Sequence, residues 1–205
     1  MARIAVVAPS LTDAVQSAGG TIARHAADGH DVTLVTVFEP VARDAPTARI
    51  TELLGIGGLV GVGLPGAADR GYAGDEHAGS RDDDEAIAAA GAALALAIGR
   101  LEPDLVLAPL GLTGHVDAAI IDRALSALAV PALRWLDLPY GLARTPGAPL
   151  GAGEVVAVPI GEQLAAKLAA SELLPDADPV RLGAHATAEG ERLGAGGPVE
   201  LLLRR

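Results

Sequence analysis

Two short apolar runs, residues 4–8 (IAVVA) and 31–38 (DVTLVTVF), read as strands buried on both faces. Between them lies GGTIARHAADG, where Ile22, Ala23 and Ala26 follow helical spacing and Gly29 stands where a helix would stop in the left-handed conformation. Strand, helix and strand at this distance make a βαβ unit, whose crossover is right-handed. No other feature limits the fold so narrowly, because a parallel pair commits the chain to a sheet with helices on its faces.

The pattern continues along the chain. A helix is expected over 47–54, a loop with a short strand around 59–62, and a long helix over 82–101 in which Ile87, Gly91, Leu94, Ile98 and Leu101 recur at steps of three and four. Strands follow at 105–108, 131–135, 155–158 and 199–203, with helices after GLTGH and over 162–173. The expectation is an α/β, single-domain Rossmann-like fold over residues 1–205, with a mainly parallel sheet flanked by helices and any site at the carboxyl ends of the strands. The glycine-rich stretch 55–74 invites a phosphate-loop reading. It has neither the strand–helix setting nor the lysine that such a loop needs, so it reads as a loop whose closure over the site is left open.

Composition removes several function classes. Aromatic residues make up 2% and the net charge is −11, which leaves few rings to stack bases and a charge that repels phosphate backbones, so nucleic acid is not an expected partner. With no cysteine, disulfide and thiolate chemistry are closed. The apolar run 86–99 is mostly alanine, too short to cross a bilayer and preceded by RDDDE, so no membrane is expected. The first ten residues lack the sequence of a secretory signal, and the expected location is the cytoplasm.

Three segments carry a resemblance. IAVVAPSLTDAVQSAGGTIARHAADGHDVTLVTV is similar to the opening of LmbE/PIG-L zinc de-N-acetylases, where A-H-P-D-D-E ends a strand and a G-G-T-I helix follows. GHVDA stands where that family shows G-H-x-D-H, and WLDLPYG where it shows E-D-x-P-Y. The resemblance implies a zinc site, but at the ligand positions this chain has Ser10, Asp13 and Ala118, so only Asp13 keeps a ligand chemistry. Thr12 replaces the family's general base and Ala14 the following glutamate, whereas His115 and Asp117 are retained. One carboxylate does not hold a catalytic zinc, and neither a metal nor another cofactor is expected unless Asp75 or His77 supplies missing ligands.

The candidate catalytic residues are His115, Asp13, Asp117 and Ser10. His115 would be a general acid or base near neutrality, oriented by Asp117 or Asp13, and Ser10 a nucleophile or donor. Thr12, Arg49, Asp137 and Tyr140 are the candidate substrate-binding residues. Each has a plainer alternative. Ser10, Asp13, His115 and Asp117 suit helix caps, Arg49 and Glu52 suit a surface ion pair, Tyr140 suits a plug, and His25 and His30 suit the surface. The functional expectation is a protein that has lost the zinc-dependent deacetylase site and binds a small polar molecule or a protein partner, with homo-oligomers allowed by the resemblance. The alternatives are a metal-free acid/base enzyme using His115 and Asp13, and a residual N-acetyl or amide hydrolase with other ligands.

Overall fold

The computed structural model describes residues 1–40, 42, 44–72, 76, 83–144 and 147–205. Its seven strands are β1 (Arg3–Ala8), β2 (Asp31–Thr36), β3 (Gly58–Gly61), β4 (Leu105–Pro109), β5 (Leu133–Trp135), β6 (Glu154–Pro159) and β7 (Val199–Arg204). They form one sheet in the order β3-β2-β1-β4-β5-β7-β6, parallel from β3 to β5, with β7 antiparallel to both its neighbours.

Alternation along β1 explains the two layers. Ile4, Val6 and Ala8 point to one face and join a cluster with Val15, Ala18 and Ile22 of helix α1 (Leu11–Ala27). Ala5 and Val7 point to the other face and meet Leu94 of α3 (Asp84–Leu101) and Ile120 of α4 (Val116–Ala127). Helices α2 (Ala45–Leu54) and α5 (Leu164–Ser171) complete the first layer, and α6 (Pro179–Leu193) packs on α5 and β7. Local chemistry sets the ends. Asp44 and Asp178 cap α2 and α6 by accepting from Thr47 and Arg181 N–H, each followed by proline in the first turn. Gly29, at φ 79°, has the left-handed conformation expected just past α1.

The sheet is the expected one through β5. The short strand is Gly58–Gly61, one residue earlier than expected, and the helix expected over 162–173 is shorter. The long helix begins at Asp84; Asp82 lies outside the described residues. Helix α6 has no counterpart in the expected elements. His25 and His30 are half-buried rather than on the surface, their rings 5.6 Å apart, with His30 Nδ1 accepting from Ala2 N–H at the amino end of β1.

Helix α1 is buried on nearly every side, and its Gly19–Gly20 step allows this. A Cβ on Gly20 would lie 2.8 Å from two Ile160 carbons, and one on Gly19 3.2 Å from Lys167 Cγ. At the same step Gly20 and Thr21 N–H donate to the Glu200 carboxylate at 2.9 and 2.7 Å. Gly20→Ala is therefore expected to destabilise the protein by about 1–3 kcal/mol through overpacking, despite alanine's better helix propensity. Urea denaturation beside a Gly→Ala change at the uncrowded Gly91 would check it, since among the described residues nothing outside the helix's own backbone lies within 4 Å of a Cβ there.

Candidate functional site

The site forms where β1, β2 and β4 end side by side. After β1 the chain turns through Pro9 into Ser10, whose extended backbone (φ −141°, ψ 172°) makes it the N-cap of α1. Ser10 Oγ accepts from Asp13 N–H at 3.1 Å and donates to Asp13 Oδ2 at 2.6 Å. The cap thus fixes the Asp13 carboxyl one turn into the helix. From the end of β2 come Phe38 and Glu39, tied to the same turn by N–H bonds to the Pro9 carbonyl at 3.1 and 3.4 Å. From β4 comes His115 at the N-cap position of α4. It makes no side-chain capping bond, and its ring stacks on Tyr140 with centroids 5.3 Å apart. Together these groups line an open crevice of about 440 Å³, with Ser10, Thr12, Asp13, Glu39, His115 and Tyr140 on its walls.

The far wall is the end of the glycine-rich loop, held by Asp117. Its Oδ2 accepts from Ala67 N–H at 3.1 Å and its Oδ1 lies 2.8 Å from Arg70 Nη2. Arg70 also pairs with Asp83 at 3.6 Å, and its guanidinium lies 5.1 Å from the centre of the Phe38 ring. Tyr72 closes the network by donating to Asp83 Oδ2 at 2.7 Å. Asp117, expected to orient His115, clamps the loop against α4. Gly66, Ala67, Ala68 and Asp69 of that loop line the crevice.

Burial and mutual repulsion dominate the electrostatics. Among the described residues the lining holds Asp13, Glu39, Asp69, Glu76 and Asp117 and no lysine or arginine. Desolvation raises the Asp13 pKa against the Ser10 bond and the nearby His115, which lower it. Burial, then the charge of Asp13, raises Glu39. Asp137 is 5% exposed, and burial followed by Asp13 pushes it up to about 7, although it accepts from Thr113 Oγ1 at 3.3 Å. Its Oδ1 has no hydrogen-bond partner among the described residues. Burial and then Asp13 also raise Tyr140.

Of the expected site residues, the fold gathers Ser10, Thr12, Asp13, His115, Asp117 and Tyr140 on one crevice, with Asp137 buried within electrostatic reach of Asp13. It does not bring Arg49 there. That residue is exposed on α2, ion-paired with Glu52 at 2.6 Å, and absent from the crevice wall. Ser10 is both the cap of α1 and part of the crevice wall. Glu39, Glu76 and Arg70 were not anticipated. Glu39 was within reach of the rule that sites lie at strand carboxyl ends, since it stands three residues past β2.

At the positions where the resemblance implies zinc ligands, the described residues offer one carboxylate, Asp13, and no set of three donors. Ala118 is a buried methyl, the Ser10 hydroxyl is engaged with Asp13, and among the described residues no three His, Asp or Glu side chains converge as a metal site. Asp75 and His77, the suggested substitutes, lie outside the described residues. No helix among the described residues is long and apolar enough to cross a membrane.

This architecture is the LmbE/PIG-L-type deacetylase fold. Among solved structures, a zinc-inhibited teicoplanin deacetylase matches with TM-score 0.75 and 17% identity, over 99% of this chain and 98% of that one. The A40926 pseudoaglycone deacetylase matches at 0.72 and 21%, over 99% and 96%. A 4-carboxy-2-hydroxymuconate hydratase from Pseudomonas putida has the same fold at 0.68 and 16%, over 99% and 95%. No family model and no curated protein matches the sequence.

Proposed function

We propose that this chain uses the deacetylase fold to bind a small polar molecule in the crevice, and does not carry out zinc-dependent N-deacetylation. The observation that carries the reading is the pair Ser10–Asp13 at 2.6 Å: the one carboxylate left from a zinc site is bonded to the residue that replaced a ligand. Hydrolysis by that route needs a metal-bound water acidified to near pH 7, and a threonine at position 12 is no general base at that pH. The crevice keeps what recognition needs, a fixed wall, an aromatic ring and convergent polar groups.

A second reading is favoured by the juxtaposition in the crevice of Asp13, whose pKa burial raises, and the imidazole of His115, a carboxyl–imidazole pair of the kind that serves acid/base chemistry without a metal. A neighbour of the same fold being a hydratase rather than a deacetylase supports such a change of chemistry on this scaffold.

Metal analysis of protein purified without chelator, followed by calorimetric titration with zinc, tests the reading. The expected outcome is less than one zinc per several chains and no binding at micromolar zinc. Stoichiometric tight zinc, with acetate released from N-acetylated sugars, would refute it. Loss of a turnover with His115→Ala that chelator leaves untouched would select the second reading.

A further inference from the structure

The crevice does not end at its carboxylates. Beside it lies a second hollow of about 300 Å³, between the starts of α1 and α2 and the turn that follows α5, with Leu11, Pro46, Ile50, Leu173 and Leu174 on its walls. Thr12, Glu39 and Pro40 line both hollows. Leu11, Thr12 and Asp13 are successive residues of α1, and they belong respectively to the groove, to the shared rim and to the crevice. Adjacent Cα atoms are about 3.8 Å apart, so apolar surface and carboxylate lie within a few bond lengths of each other. Leu173, just past the end of α5, is 39% exposed, so the groove offers large apolar surface that the fold itself leaves uncovered.

The charges on the crevice wall define the other half of a ligand. Among the described residues neither hollow has a lysine or arginine on its wall, and Asp13 and Glu39, within electrostatic reach of each other, form no ion pair with either. Arg70 is already committed to Asp117 and Asp83. A further carboxyl, Asp137, is 5% exposed, feels the charge of Asp13 and has no hydrogen-bond partner at Oδ1 among the described residues. Tyr140, 40% exposed on the crevice wall, adds a ring whose electron-rich face attracts a cation. A carboxylate or phosphate ligand would meet repulsion from the same wall. A metal ion needs ligands converging on one point, and among the described residues no three do. An ammonium suits this arrangement, because its three N–H donors reach separate acceptors. We infer that the crevice takes a protonated primary amine with an apolar arm, the ammonium between Asp13 and Glu39 and the arm passing Thr12 and Pro40 into the groove. The inference rests on the crevice being a small-molecule site, and it names the class of molecule.

Calorimetric titration of the full chain with butylamine, hexylamine and octylamine near neutral pH tests this, with octanol and octanoate as neutral and anionic controls. One amine per chain is expected, with a dissociation constant for octylamine below about 1 mM. Affinity should rise about threefold to fourfold for each methylene that enters the groove, and octanol and octanoate should bind about tenfold more weakly or worse. Glu39→Gln should weaken octylamine by about tenfold. Glu191→Gln, at an exposed position on α6, should not, which separates this site from general attraction to an acidic surface. Leu173→Asn, also at an exposed position, should flatten the chain-length series. Amines that bind no better than octanol, an affinity indifferent to chain length, equal losses in Glu39→Gln and Glu191→Gln, or calcium bound as tightly as octylamine would each overturn the inference. N-acetylglucosamine bound in place of the amines would overturn it too while leaving the crevice a small-molecule site, whereas stoichiometric tight zinc would strike the reading beneath it.

Discussion

Lys167→Ala should lower stability by about 3–5 kcal/mol, the usual result of stranding one member of a buried ion pair. Lys167 Nζ lies 2.6 Å from Glu200 Oε1, and the two side chains are 1% and 3% exposed. Glu200 also accepts from Gly20 and Thr21 N–H, so a single carboxylate joins β7, α1 and α5. Removing the lysine leaves that carboxylate charged in an apolar interior with only two amide dipoles to answer it, and removes an alkyl stem that packs on Gly19. The midpoint of thermal unfolding should fall by roughly 10 °C. The double change Lys167→Met with Glu200→Gln keeps the volume and an amide oxygen for the helix N–H groups while removing both charges, and should cost far less than the single one. Urea denaturation of wild type, single and double variants decides the matter; a single variant within about 1 kcal/mol of wild type would mean that water reaches the pair and screens it.

That pair also marks a limit of what the sequence discloses. Strands β1, β2 and β4 were legible because burial on both faces requires unbroken aliphatic runs, and α1 because its glycine stop and periodic positions are local. The antiparallel β7 was legible as a strand but not in its direction, which depends on pairing with β5 and β6 rather than on anything within VELLLR. Helix α6 was missed for a different reason. Its buried positions Leu182, Ala186, Glu189 and Gly190 follow helical spacing, but half of that stripe is glutamate and glycine, so few large apolar side chains mark it, although Asp178-Pro179 and Gly194 supply ordinary start and stop signals.

The site divides in the same way. Ser10 and Asp13 lie one helical turn apart, so their bond could be read from spacing, and His115 could be read from its place after a strand. The Arg70–Asp117 clamp joins a glycine-rich loop to another helix, and no local pattern announces it. Arg49 illustrates the opposite error. A spacing of three on a helix suits an ion pair as well as a substrate contact, and the exposed Arg49–Glu52 bridge takes the plainer course. The combined result is a crevice whose walls are fixed by caps and a clamp while its carboxyl groups remain short of compensating charge.

Asp137→Asn turns that shortage into a measurable pH dependence. Burial and the neighbouring Asp13 raise the Asp137 carboxyl from an ordinary 3.8 to about 7, so in the interval between those values the folded chain binds a proton that the unfolded chain has released. Stability changes with pH as the unfolded minus the folded proton count, which is negative here, so the Asp137 contribution is fully present below about pH 4 and is lost as pH rises through 7. The rise is worth on the order of 4 kcal/mol across the interval. An asparagine cannot ionise and still offers an oxygen to Thr113. The variant should match wild type near pH 4 and exceed it increasingly toward pH 8, by up to about 4 kcal/mol. Urea denaturation at pH 4, 6 and 8 would show the two stability curves diverging with rising pH. Parallel curves would mean that Asp137 ionises normally in the folded protein, which would remove the buried proton from any chemistry assigned to the crevice. Divergence would establish that the site holds a proton at neutrality without a metal, and Asp13→Asn should then reduce it, because the Asp13 charge is the second cause of the shift.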